Sequence, residues 1–238
     1  MVPGSMAGGM SEIYQGGLRI PFVRLFRNGE LQQDLFVLML LDVRVPKERR
    51  GDYFAQISAC RLGERRLQEV VAEHGTETIS TAFGDILDRT RERMGDSIET
   101  IPDGDYRFTD MMDGDGIEAL DLPIELVITV NGREITFDFE GTCAQVAGNI
   151  NVTLNATQAA VCYSLKALLD PDVPNNQGVL DSVKILAPRS TLVNSTFPAP
   201  VAARANTCQR IIDVVLGALS TRSEERRVGY ECRSRWSP

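Results

Sequence analysis

Two groups of residues in this 238-residue chain have the types and spacing that could do chemistry. Gln145, Asn149 and Asn151 crowd the loop 141–151 around Gly148, where a missing side chain leaves the backbone bare. Amide side chains donate and accept together, which suits an imide or lactam ring. The same residues can also cap their own loop through Asx turns. Glu12, Gln15 and Arg19 form the second group, in which Arg19 could grip a carboxylate with two donors or close a structural salt bridge.

Other reactive types stand in settings that argue against chemistry. His74 is the single histidine, so a histidine metal cluster cannot form, and its place beside Gly75 reads as a helix end. Cys143 sits in a glycine-flanked loop, but no histidine is near in sequence to activate it, so it reads as loop packing. Asp113-Gly-Asp115-Gly116 and Asp103-Gly-Asp105 lack the third ligand and the position-12 glutamate of a calcium loop and read as turns. Arg61, Arg65 and Arg66 read as a solvated or subunit-facing helix surface. No glycine-rich phosphate cradle and no zinc spacing occurs, and these residues assign no metal to the chain.

The elements that must position these residues centre on a hairpin. Residues 122–130 alternate apolar and polar, Asn131-Gly132 follows, and 133–139 alternates again. An Asn-Gly type I′ turn would pair Ile128 with Ile135, Leu126 with Phe137 and Ile124 with Phe139, all on one face. It would also set Glu125 opposite Asp138, an unfavourable like-charge pair. An apolar face of this size needs a cover. The first candidate is a helix starting at Asn155-Ala-Thr-Gln158 with a box-like cap, carrying Val161, Cys162, Leu165, Leu168 and Leu169, and stopping at Asp170-Pro171. Elsewhere the spacing predicts a strand over 18–26, a turn at Asn28-Gly29, an apolar helix over 31–43 and helices over 47–74 and Thr76–Ile98 that read as a helical hairpin. Strands follow over 105–112 and 179–186, then an extended proline-rich stretch over 187–201 and a helix over 206–219. The expected class is α+β: a mixed architecture with an antiparallel, hairpin-based sheet flanked by helices, plus the long helical hairpin.

Several segments in one order resemble a known family. Phe137-Asp-Phe-Glu-Gly-Thr-Cys-Ala-Gln-Val-Ala-Gly-Asn-Ile-Asn151 is similar to the loop motif of the hydantoinase B/oxoprolinase family. Pro3-Gly-Ser-Met6, Glu12-Ile-Tyr-Gln15, Gly17-Leu-Arg-Ile-Pro21, residues 58–67 and residues 209–218 are similar to further motifs of the same family, in the same order. Gly16, Phe22 and Cys143 depart from the usual residues at their positions. The resemblance implies a subunit that opens cyclic amides of the hydantoin or 5-oxoproline type in an ATP-dependent hetero-oligomer. Its implied partner is a hydantoinase A-type subunit that binds the ATP. A divalent metal would be held by a segment upstream of this chain, with no cofactor bound by the fragment itself. An acetone-carboxylase-type ligase subunit and a non-catalytic assembly module are the alternatives. The family position of Met1 is internal, so the chain reads as a fragment, inactive when isolated.

Residues 222–238 switch abruptly to a basic, polar composition that resembles a translated sequencing adapter. The expected division is therefore a partial family domain over 1–221 and a foreign, disordered tail over 222–238 in which Trp236 packs against nothing. The chain's net charge is −8. Setting aside the tail's five Arg and three Glu leaves 20 basic and 30 acidic residues, a net of −10, which would repel a phosphate backbone and argues against nucleic acid. No apolar run approaches the ~18 residues of a membrane span. Without a secretory leader, Cys60, Cys143, Cys162 and Cys208 should be reduced cytoplasmic thiols.

Overall fold

The computed structural model describes residues 9–41 and 43–220. The motif at Pro3–Met6 and the expectations for the tail and Trp236 lie outside the described residues. The chain divides into two compact units, one over 14–88 and the other formed by 9–13 with 89–220.

A 3-10 turn, Ile13–Gly16, leads into the first unit. The strand expected over 18–26 does not form. Only β1 (Phe26–Arg27) and β2 (Glu30–Leu31) pair, about Asn28-Gly29. Positive φ at both Asn28 (50°) and Gly29 (82°) makes this a type I′ turn. The apolar segment then forms α1 (Gln33–Leu41), whose Phe36 is buried and meets Tyr53 and Phe54 edge-on. Helix α2 (Pro46–His74) opens on proline, which suits a first helical position, and closes at Gly75 with φ 83°. Helix α3 (Thr76–Ile98) follows at once. The helical hairpin expected here is corrected: a single residue joins α2 to α3, where a packed pair needs about two to five, and the two helices do not run along each other.

The second unit is built on a four-stranded sheet in the order β3-β4-β5-β6. Its strands are β3 (Gly104–Met112), β4 (Leu122–Asn131), β5 (Glu134–Asp138) and β6 (Val183–Leu186). The expected face is right, since Ile124, Leu126, Ile128, Ile135, Phe137 and Phe139 are all buried. The expected register is not. Ile128 pairs with Phe137 and Val130 with Ile135, because the turn's central residues are Gly132 and Arg133. Only Gly132 has positive φ (57°), the type II′ pattern. Moving the turn by one residue shifts each strand by one, so every side chain keeps its face while the partners change. Glu125 now sits across from Thr109 on β3 and Asp138 across from Val127, so the like-charge pair never forms.

The sheet is mixed, because β6 runs parallel to β5. A parallel neighbour requires a crossover, and helix α4 (Leu154–Leu169) supplies most of it. Two expectations change in this stretch. Helix α4 starts one residue before Asn155, with Thr153 as its N-cap and no side-chain cap bond, so Asn155 lies inside the helix. The strand expected over 179–186 is in part a short helix, α5 (Gln177–Asp181), because the Asn176 side chain accepts the Gly178 amide and caps it. Helix α6 (Arg204–Ser220) lies on β3 and β4 and against α4. Gly217 permits the close fit, since a Cβ there would stand 2.7 Å from the Phe108 ring. Side-chain bonds anchor the last turns of α3 in this unit: Arg93 to Asp170 (Nη2–Oδ1 2.7 Å), Asn176 to Thr90 (2.8 Å) and Arg133 to Asp96 (2.9 Å). Among the described residues no helix is long and apolar enough to cross a membrane.

Phe137 is fully enclosed at the centre of this core. Phe137→Ala should lower stability by roughly 3–5 kcal/mol, read from urea denaturation followed by circular dichroism. A loss below about 1 kcal/mol would mean that this face is not the core.

Candidate functional site

The loop 141–151 leaves the sheet after β5 and enters α4, and it is held from three sides. Backbone bonds tie it to the segment 187–203: the Gln145 amide donates to Ser190 O (2.9 Å), Leu192 N to Cys143 O (3.0 Å) and Ala203 N to Asn149 O (2.8 Å). Asn151 is enclosed and spends its whole amide inside the protein. Its Nδ2 donates to Val146 O, Gly148 O and Pro200 O at 2.8–3.0 Å, and its Oδ1 accepts from Val146 N at 2.8 Å. Gln145 Oε1 accepts both the amide and the hydroxyl of Thr196 (2.8 and 3.2 Å). Thr207, on α6, donates to Ile150 O at 2.7 Å.

The third side is Asp115, which is 3% exposed. Its Oδ1 accepts from Ile117 N and Glu118 N, a turn of its own, and its Oδ2 accepts from Gly148 N at 2.9 Å. Burial alone would raise the Asp115 carboxyl. The amides of Glu118, Ile117, Gly148 and its own residue outweigh that, and the group is held below the ordinary aspartate range. Gly148 is required by the approach, since a Cβ there would lie 1.8 Å from the Asp115 carbonyl oxygen. The Asp-Gly-Asp-Gly run is therefore a turn, as its sequence indicates, and also the clamp on a loop 33 residues away. The one sequence signal for this was the pairing of a turn aspartate with a loop glycine. Thr196 and Thr207 left no signal at all.

The structure brings Gln145, Asn149 and Asn151 into one network, in which self-capping of the loop accounts for three of the four hydrogen bonds of the Asn151 side chain, while the fourth goes to Pro200 O and the Gln145 oxygen accepts from Thr196, both outside the loop. Among the described residues the Gln145 Nε2 donor is not committed. The N-terminal group is arranged differently. Gln15 and Arg19 belong to the first unit, where the Arg19 guanidinium stacks over the Tyr14 ring (5.6 Å to its centre), and both are exposed. Glu12 is exposed and belongs to the second unit. His74 ends α2, 3.7 Å from Glu73. Cys143 and Cys162 are half-buried, and burial raises both thiols, Cys162 to about 11, opposite to the shift a nucleophilic cysteine needs.

Comparison with known proteins gives a consistent result. The family model described as hydantoinase B/oxoprolinase matches residues 1–236. The B-type component of a putative D-/L-hydantoinase from Pseudomonas sp. (strain NS671) is 32% identical over 220 residues, covering 88% of this chain and 37% of that protein. Among solved structures, the ATP-dependent caprolactamase from Pseudomonas jessenii superposes with a TM-score of 0.87 at 29% identity, over 94% of this chain and 39% of that one. Nucleotide-free acetone carboxylase superposes at 0.86 with 19% identity, over 94% and 31%, a likeness of fold alone. The chain spans less than two fifths of the length of the curated relatives it matches.

Asp115→Asn should cost about 1–3 kcal/mol at pH 7, because an amide nitrogen turned toward Gly148 N is a donor facing a donor. The folded value of Asp115 is depressed, so its contribution is present above about pH 4, the unfolded value, and fades as pH falls through the folded one. Urea denaturation at stepped pH reads both effects, and an Asn variant as stable as its parent at pH 7 would remove Asp115 as the clamp. Gly148→Ala should be more damaging than Asp115→Asn in the same measurement, since its methyl group meets backbone.

Proposed function

Because the chain belongs to the hydantoinase B/oxoprolinase family, we propose that it is part of a B-type subunit that opens cyclic amides by hydrolysis in an ATP-dependent, multi-subunit system. The observation that carries this reading is the superposition on the ATP-dependent caprolactamase across nearly the whole of this chain. A lactam carbonyl shares the resonance of a peptide bond. Activating it with ATP would fall to an A-type partner, and the B-type subunit would complete the hydrolysis, with a divalent metal held by family segments upstream of these residues. Within this chain the loop 141–151 is the element we assign to the substrate. The Gln145 Nε2 donor would meet the ring carbonyl, while Asn149 and Asn151, held by Asp115 and the 187–203 segment, fix the loop's shape. Glu12, Gln15 and Arg19 are secondary candidates for a substrate carboxylate. Residues 1–221 would form the family part, and the cysteines, all unpaired among the described residues, suit the cytoplasm.

The hydrolase reading is favoured over a ligase subunit of the acetone-carboxylase kind by identity, 29–32% against 19%. The test is to embed this chain in its full-length subunit, co-express it with an A-type partner, and follow ring opening of hydantoin, 5-oxoproline and caprolactam by chromatography. ATP-dependent opening of at least one ring is expected, with Gln145→Ala raising KM more than it lowers kcat, and with no turnover by the 238-residue chain alone. Turnover by the isolated chain, or acetone carboxylation without ring opening, would overturn the proposal.

A further inference from the structure

We propose that a groove along the outer face of α4 binds a small organic carboxylate with an aliphatic body, at a site separate from the loop 141–151. The groove is a cavity of about 730 Å³ between α4 and the segment 171–180, within the size range of small-molecule sites. Asn155, Gln158, Cys162, Tyr163 and Lys166 recur at helical spacing and line one wall, with Asn175 and Val179 opposite. From Asn155 to Lys166 the wall runs about 16 Å at 1.5 Å per residue.

Three observations point to the ligand class. First, Lys166 is the one charged side chain in the sixteen residues of α4, although the outer face of a surface helix is ordinarily rich in charge. Second, among the described residues no carboxylate neutralises the Lys166 ammonium. Its Nζ donates to a neutral partner, Asn175 Oδ1, at 2.5 Å, which steadies the side chain and leaves its positive charge and further donors for an anion. Third, Ala159, Cys162, Pro171, Val179 and Leu180 give the groove an apolar floor beside the exposed Tyr163 ring. The Lys166 cation next to an apolar trough selects an anion with a short hydrocarbon chain over a neutral analogue, and the chain's net charge of −8 works against any anion more highly charged than a monoanion.

The test is a chemical-shift titration of the full ¹⁵N-labelled chain with sodium hexanoate, and in parallel with hexanamide, at constant ionic strength. Hexanoate should give saturable shifts at amides of 155–166 and 175–180, with hexanamide weaker by roughly tenfold or more. Lys166→Met should abolish the preference, and Lys184→Met, outside the groove, should keep it. Absence of saturable shifts, equal binding of the two ligands, or an unchanged preference in Lys166→Met would overturn the proposal. So would shifts of the same amides with protein concentration alone, which would assign the face to contact between copies. The hexanoate and hexanamide comparison needs no variant, so it decides even if Lys166→Met folds poorly. Because no turnover is measured, failure here leaves the ring-opening reading of the loop untouched, and the reverse also holds.

Discussion

The second unit depends on one constraint: the face of β4 and β5 that carries Ile124, Leu126, Ile128, Val130, Ile135 and Phe137 must be removed from water. Two strands cannot do this alone. The solution is a mixed sheet with β3 and β6 on either side and α6 laid on β3 and β4. Reaching β6 in the parallel sense forces the chain out of the sheet and back, which is why α4 exists where it does. The loop that leads from β5 into that crossover is the candidate substrate loop. Its position therefore follows from the topology required to bury the sheet.

The loop's rigidity comes from polar bonds made in a buried setting, where an unmet donor or acceptor is costly. Asn151 joins its own loop to Pro200 in the 187–203 segment, and Asp115 reaches across from the β3–β4 connection to the Gly148 amide. Such a network holds a loop in one shape without regular secondary structure, as a site built on a loop requires. It also explains why the amides that looked available in the sequence are mostly engaged. The exception is the Gln145 Nε2, which among the described residues stays uncommitted at the edge of this network.

The first unit is organised differently. Helix α2 buries none of its residues, and its surface carries close (i, i+3) pairs such as Arg49 with Asp52 and Arg66 with Glu69. Exposed pairs of this kind add little stability. Apolar side chains such as Phe54, Leu62, Leu67, Phe83 and Ile86 remain partly exposed in this unit. The chain represents under two fifths of the length of its curated relatives, and this unit is the one with least core of its own.

Local patterning determined much of this protein. Alternation marked which residues of β4 and β5 face inward, helical spacing and Gly75 bounded α2 and α3, and Asp170-Pro171 ended α4, because each of these depends on neighbours within a few residues. The ordered family motifs likewise carried the identity of the chain. Tertiary structure alone decided the rest. Both turns are Asn-Gly, yet Asn28-Gly29 takes the type I′ form while Asn131-Gly132 gives way to a turn on Gly132-Arg133, where Asp103 accepts the Gly132 amide across 29 residues. The parallel pairing of β6 and the bond from Asp115 to Gly148 are of the same kind. Each is settled by which distant groups meet, and a sequence read in local windows does not carry that information.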